Sequence, residues 1–183
     1  MTNSSNKAQQ LVVLSAIGTD RAGVVHDLTK VILDCGGNIE ESRMAALGSE
    51  FAMLVLVSGN WHALNKLEAA TDKLSRENAL TVSIKKTEER THPEDCMPYM
   101  VDVVCIDQPG IVFNLANFFA ARSIEIADVA TRSYAAAHTG APMFAVQMTI
   151  SLPGSIHISQ LRDEFLEVCD QLNLDAILEP VKS

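Results

Sequence analysis

The chain has 183 residues, of which 48% are apolar, and it carries 23 acidic against 14 basic side chains. The apolar share excludes a disordered chain, and the acidic excess argues against direct nucleic-acid binding, which needs clustered cations to displace phosphate counterions. Residues 1–10 are polar, with neither a basic start nor an apolar run, so we expect a disordered N-terminus, no signal peptide and a cytoplasmic protein.

The first half of the chain alternates two apolar patterns. A run rich in Val, Leu and Ile predicts a strand, and the apolar residues that follow have the spacing of one helical face. Gly36-Gly37 ends this helix, because glycine accepts the left-handed conformation. The predicted order is a strand over Leu11–Gly18, a helix carrying Val24, Leu28, Val31, Ile32 and Cys35, a hairpin of Ile39–Leu47 and Phe51–Val57, a helix marked by Trp61, Leu64, Leu67 and Leu74, and a strand over Leu80–Lys86.

The second half of the chain repeats the first at an offset of 87 residues. Asp20-Arg21-Ala22-Gly23-Val24-Val25 reappears as Asp107-Gln108-Pro109-Gly110-Ile111-Val112, and the alignment continues through the following helix. Farther on, the second copy needs six inserted residues, which fit best within Ala135–Pro142. Its predicted elements are a strand over Met100–Ile106, a helix carrying Ile111, Leu115, Phe118 and Phe119, a hairpin of Ile124–Tyr134 and Met143–Leu152, a helix N-capped by Ser155, and a strand over Leu174–Val181.

These patterns predict an α+β protein of two ferredoxin-like βαββαβ modules, residues 11–86 and 99–183, with antiparallel sheets. Residues 87–98 are charged, contain two prolines and are expected to be a linker. In such a module both helices cover one face of the sheet. Phe51–Val57 is nevertheless apolar at every position, so we expect its other face to be covered as well, either by the second module or by a second subunit in a homodimer.

The turn between the first strand and the first helix of each module is the candidate binding site. Asp20 and Asp107 each precede a glycine by three residues, Gly23 and Gly110. Glycine allows close approach of a ligand to the backbone, and a helix N-terminus presents unpaired N–H groups that attract a carboxylate. The Asp carboxylate could hold an ammonium group, so an amino acid would satisfy both ends. Alternatively, each Asp is a helix N-cap, and each glycine serves tight helix packing.

At these residues the chain resembles the ACT domain, a small regulatory module that binds amino acids. The turn, its helix and Gly36-Gly37-Asn38-Ile39 carry the resemblance, which extends over about residues 11–181. In ACT domains the ligand lies where the first turn of one module faces a neighbouring module or subunit. The resemblance implies that the ligand-binding residues are Asp20, Gly23, Val24 and Asn38 in the first copy, and Asp107, Gly110 and Ile111 in the second.

The two copies depart from each other at one of these positions. Glu125 stands where the first copy has Asn38, and a second carboxylate would repel that of an amino acid, so the first turn is favoured. Arg21-Ala22 replaces the commoner Arg-Pro of the family in that turn. One module would then bind the ligand while the other serves as a scaffold.

The tandem arrangement without an attached enzyme resembles the glycine cleavage system transcriptional repressors. This resemblance implies an amino-acid-sensing regulator that binds glycine or serine. It also implies a LysR-type transcriptional activator as the partner, rather than DNA itself. A ligand-independent interaction or scaffold module, and a sensor of another small metabolite, are the alternatives.

Catalytic and membrane functions are not expected. The five histidines are scattered, and there is no nucleophile elbow, phosphate loop or paired-histidine motif, so we predict no catalytic residue, metal or cofactor. Cys35, Cys105 and Cys169 fall within predicted elements, as small buried hydrophobes do. Residues 133–161 lack charge, but glycines and prolines interrupt them, which speaks against a membrane span.

Overall fold

A computed structural model describes residues 10–90 and 95–181, with only the backbone of residues 77 and 78. The chain divides after Arg90 into two compact units, and this boundary falls within the predicted linker. The first strand begins at Gln10, so the last residue of the predicted disordered N-terminus is part of a strand. The first strand of the second unit begins at Cys96, so the last three residues assigned to the linker are part of a strand. The other residues of the predicted N-terminal segment lie outside the described part.

Module 1 has the predicted order of elements. They are β1 (Gln10–Thr19), α1 (Val24–Cys35), β2 (Asn38–Leu47), β3 (Glu50–Gly59), α2 (Trp61–Asn78) and β4 (Leu80–Thr87). The strands form one sheet in the order β2-β3-β1-β4, in which every pairing is antiparallel. Helix α1 ends at Gly36 (φ 83°), as predicted, and the N–H of Gly37 donates to the carbonyl of Ile32.

Module 2 has the same plan with a longer hairpin. Its elements are β5 (Cys96–Ile106), α3 (Ile111–Ala120), β6 (Glu125–Ala135), β7 (Pro142–Pro153), α4 (Ile158–Gln171) and β8 (Asp175–Pro180), in the sheet order β6-β7-β5-β8. The inserted residues form the tip of the β6–β7 hairpin, as predicted. The prediction that Ser155 caps α4 is wrong: a turn closed by Ile156 N–H and Pro153 carbonyl occupies this segment, and His157 is the N-cap residue.

The middle strands alternate between a buried and a more open face. On β1, Val12, Leu14 and Ala16 are buried beneath the helices, whereas the residues between them face the other side. On β3, Leu54 belongs to that other face and is 53% exposed. The cover expected for the whole of Phe51–Val57 therefore remains a prediction.

Module 2 has an aromatic core beneath its helices. The rings of Phe118, Phe119 and Phe165 lie with centroids 5.2–5.4 Å apart, and Phe119 and Phe165 have no exposed surface. Arg122 extends over the ring of Phe118 at 3.8 Å and ends on the carboxylate of Glu164 at 2.8 Å. The Arg122 guanidinium thus covers the Phe118 ring at the edge of the core in a cation–π contact.

Each module contains a β-bulge near the start of the strand that follows its first helix. In β2 the register against β3 shifts between Ile39 and Glu41, and in β6 the register against β7 shifts between Ile126 and Asp128. The two shifts are related by the 87-residue offset. The internal repeat therefore extends to an irregularity of the backbone, beyond the order of the elements.

Candidate functional site

Both predicted turns place a glycine in the left-handed region at the start of a helix. Gly23 (φ 88°) precedes α1, and Gly110 (φ 91°) precedes α3. A Cβ atom at either position would have only one atom within 4 Å, at 3.8 Å, so the glycines are required by backbone conformation and do not serve tight helix packing. Neither helix has a side-chain cap. The alternative reading of Asp20 and Asp107 as N-caps is therefore wrong.

The two turns are anchored in the same way to the hairpin of their own module. The N–H of Asp20 donates to the carbonyl of Ser49 at 3.0 Å, and the N–H of Asp107 donates to that of Pro142 at 2.9 Å. The side chain of Asp107 also accepts a hydrogen bond from the Ser133 hydroxyl at 3.1 Å. Each turn is thus fixed between the end of its first strand and the neighbouring hairpin.

The turn of module 1 carries an ion pair that the sequence analysis missed. The guanidinium of Arg21 donates to the carboxylate of Asp27 at 2.7 Å, and His26 Nδ1 lies 3.2 Å from the other oxygen of that carboxylate. These hydrogen bonds, that of Arg21 first, hold the pKa of Asp27 below its usual value. Asp27 lies in the first turn of α1, where the helix dipole also favours a negative charge.

The turn of module 2 is uncharged at the corresponding positions. Gln108 takes the place of Arg21, and its side-chain amide donates to the carbonyl of Leu172 at 3.2 Å. Asn114 stands where module 1 has Asp27, and Phe113, which is 72% exposed, stands in place of His26. The two turns therefore share a backbone conformation but differ in charge.

Asn38 lies at the opposite end of the sheet from the turn of its own module. Asn38 and Leu11 both pair with Ser58, whereas Asp20 follows the last residue of β1. At the rise of an extended strand, roughly 25–30 Å separate the two ends. In module 2, Glu125 pairs with Ser151 and is likewise far from Gly110. The predicted site residues therefore do not converge within one module.

Asn38 is part of a polar cluster at the bulge of β2. One carboxylate oxygen of Glu40 accepts hydrogen bonds from the Asn38 amide, at 2.9 Å, and from the hydroxyl of Ser58. Ser58 is only 2% exposed. The two bonds, that of Ser58 first, lower the pKa of Glu40. Ala127 stands at the corresponding position of module 2, so the cluster is specific to module 1.

A groove of about 470 Å³ runs between α1 and α2 on the helix side of module 1. Its lining alternates in charge, with Asp27 and Asp34 beside Lys30 and Lys73, over an apolar floor that includes Leu74. Lys30 and Asp34 form an ion pair at 2.7 Å. The groove begins beside Asp27 and extends away from Gly23, so it is not the predicted ligand site.

Three further expectations concern the chain as a whole. Cys35, Cys105 and Cys169 are buried free thiols, as predicted, and burial raises the pKa of Cys169 to about 11. Within residues 10–90 and 95–181, no three His, Cys, Asp or Glu side chains are grouped to hold a metal ion. None of the helices in that part of the chain is long and apolar enough to cross a membrane.

Comparison with known proteins places this architecture in a family. The ACT domain model matches residues 10–85. The chain is 32% identical over 181 residues to the glycine cleavage system transcriptional repressor of Escherichia coli (strain K12), covering 99% of this chain and 94% of the relative, and equally identical to that of Shigella flexneri. These relatives are named as repressors, not as enzymes, in agreement with the expectation from the sequence.

Two solved structures resemble the whole chain. A crystal structure of a protein of unknown function from Galdieria sulphuraria is 28% identical with a TM-score of 0.77, covering 95% of this chain and 99% of the other. A second, of a proposed glycine cleavage system transcriptional repressor, is 26% identical with a TM-score of 0.72, covering 96% and 99%. The chain therefore belongs to the family of the glycine cleavage system transcriptional repressor and contains an ACT domain over residues 10–85.

Proposed function

We propose that this chain is an amino-acid-sensing regulator of transcription that represses glycine cleavage genes through a protein partner. The observation that carries the proposal is the glycine turn found twice, each time in the left-handed conformation at a helix start without a side-chain cap. The family supplies the regulatory role, since its relatives are named as repressors of the glycine cleavage system.

The chemistry of the turn suits a small α-amino acid. The first N–H groups of α1 and α3 have no carbonyl partner within their helix and carry part of the positive end of the helix dipole, which favours a carboxylate. Asp20 or Asp107 lies three residues before the glycine and supplies a negative charge for the ammonium group. Because the glycine has no side chain, a ligand can approach the backbone directly.

Asn38 belongs to the same proposal only if it approaches a turn other than that of its own module. Since it lies at the far end of the sheet from Gly23, it cannot reach a ligand held at the turn of its own module. A homodimer in which Asn38 of one chain approaches the turn of another would meet this requirement. Sedimentation of the protein with and without glycine tests this arrangement.

The charge of the chain favours action through a partner. The formal net charge is −9 at pH 7, and Lys85-Lys86 is the densest cationic pair in the sequence. A LysR-type activator of the glycine cleavage genes would supply the DNA contact. The ligand changes repression only if it binds the free and the partner-bound protein with unequal affinity.

Isothermal titration calorimetry with a panel of amino acids tests the sensor. We expect saturable binding of glycine or serine, weakened by Gly23→Leu or Gly110→Leu, because leucine strains the backbone and fills the approach to the N–H groups. Gly140→Leu is the matched control, since Gly140 also has a positive φ (70°) but lies in the tip of the β6–β7 hairpin with no atom within 4 Å of an added Cβ. A flat titration over the whole panel would favour the ligand-independent interaction module.

A promoter-fragment mobility assay tests the indirect action. The purified protein alone should leave the fragment unshifted at physiological salt, because its net charge is −9 and its sequence has no Lys or Arg run longer than Lys85-Lys86 to displace counterions. The activator alone should shift it, and the protein should then change that complex. A shift by the protein alone would refute action through a partner.

A further inference from the structure

The turns of the two modules share a backbone and differ in whether a carboxylate already occupies them. In the alignment at the 87-residue offset, Arg21 corresponds to Gln108 and Asp27 corresponds to Asn114. Gly23 and Gly110 have φ values within 3° of each other, so the difference lies in the side chains. The effect of these side chains can therefore be compared within one protein, on the same backbone conformation.

In module 1 the cation of the turn is already engaged. The Arg21 guanidinium donates to Asp27 at 2.7 Å and to the carbonyl of Ala22 at 3.3 Å. It lies over the glycine, since a Cβ atom at Gly23 would be 3.8 Å from Nη1. The N–H of Val24 donates to the carbonyl of Arg21 at 3.3 Å, so one N–H of the helix start is also used.

In module 2 the residues that correspond to Arg21 and Asp27 do not form an ion pair, and the first turn of α3 has no carboxylate at this position. Asn114 is neutral, and the Gln108 amide is directed to Leu172. Among the described residues, the N–H of Ile111 has no counterpart of the bond made by Val24. Asp107, which would hold an ammonium group, is kept in place by Ser133.

We infer that the Asp27 carboxylate competes with the carboxylate of the ligand for Arg21 and the start of α1. The turn of module 2, which has no such carboxylate, is therefore the stronger amino-acid site. The inference rests on the proposed function and deepens it. An incoming carboxylate at Gly23 must displace Asp27 from Arg21 or endure its repulsion, whereas at Gly110 it meets neither. This order is opposite to the ranking drawn from Asn38 and Glu125, neither of which lies near the turn of its own module.

Two reciprocal substitutions test the inference by calorimetry with glycine. Asp27→Asn gives module 1 the amide of module 2 and should tighten its binding about fivefold, so that a second event appears or gains affinity. Asn114→Asp gives module 2 the carboxylate of module 1 and should weaken the main event by a similar factor. The effect is modest because Arg21 and Asp27 are both partly exposed to solvent.

Matched controls make the same chemical changes elsewhere on the same helices. Asp34→Asn removes a carboxylate from the last turn of α1, where it pairs with Lys30, and Asn117→Asp adds one to the exposed side of α3. Both should leave glycine affinity within twofold of the original protein. Thermal unfolding of every variant verifies that the fold is retained.

The outcomes separate the inference from the function on which it rests. Tighter binding in Asp27→Asn together with weaker binding in Asn114→Asp supports it. Unchanged affinity in both variants, or weaker binding in Asp27→Asn, would overturn it while leaving the sensor intact. If neither the original protein nor Asp27→Asn binds any amino acid, the proposed function itself fails.

Discussion

Removal of the Phe165 ring measures how much the aromatic core contributes to the free energy of unfolding of module 2. Phe165 has no exposed surface, and its ring centroid lies 5.3 Å from that of Phe118 and 5.4 Å from that of Phe119. Truncation of a buried phenylalanine to alanine costs about 3–5 kcal/mol, which includes the loss of two ring contacts of about 0.5–1.5 kcal/mol each. We therefore expect Phe165→Ala to lower the free energy of unfolding of this module by about 4 kcal/mol.

Urea unfolding followed by circular dichroism gives the measurement. With a slope of about 2 kcal/mol per molar urea, the midpoint of module 2 should fall by about 2 M. The matched control is Phe113→Ala in the same module, because Phe113 is 72% exposed and should contribute less than about 0.5 kcal/mol. A loss below about 1.5 kcal/mol for Phe165→Ala, or equal losses in the two variants, would refute the packing described.

Two further predictions concern carboxylates whose pKa is lowered by hydrogen bonds. The hydrogen bond from Arg122 holds the pKa of Glu164 below its ordinary value of 4.5, so the Glu164 carboxylate stabilises the fold above that value and loses this effect as the pH falls through the folded-state pKa. Glu164→Gln should therefore reduce the loss of melting temperature at acidic pH. An unchanged loss would contradict this prediction. Ser58→Ala removes the main bond to Glu40, so the Glu40 pKa measured by NMR should rise toward its usual value; a pKa that stays low would assign the shift to another group.

The fold was predictable because its information is local and occurs twice. Period-two and period-3.6 patterns indicated each strand and helix, and the repeat located the inserted hairpin tip in the second copy. Boundaries were less accurate where a strand continues by pairing beyond its run of Val, Leu and Ile. Cys96 and Pro98 extend β5 into the predicted linker because β7 continues beside them, a long-range pairing that composition does not reveal.

The candidate site was predictable only in its backbone. Gly23 and Gly110 both lie at a helix start with positive φ, as a repeated glycine in this context would suggest, whereas their role in ligand binding stays a prediction. Asn38 and Gly23 lie at opposite ends of the sheet of module 1, because β1 and β2 run parallel and Asn38 begins β2 whereas the turn follows the end of β1. The part of Asn38 in the site stays a prediction. The Arg21–Asp27 ion pair was missed, although the aligned repeat contains a signal for it: a charged residue, Asp27, corresponds to a neutral one, Asn114.

The bulge shared by β2 and β6 shows which features of the two modules are common and which differ. Regular strands can arise from unrelated sequences, since alternation of apolar residues is enough, but an extra residue at the same step is a feature that families inherit. The bulge therefore joins the sequence repeat as a second mark that the two halves are copies of one module. Glu40 against Ala127, and Asp27 against Asn114, are differences of side chain at equivalent positions of the same backbone frame. The two modules thus carry different charges on one backbone plan, so a change in the charge of a turn need not change the fold.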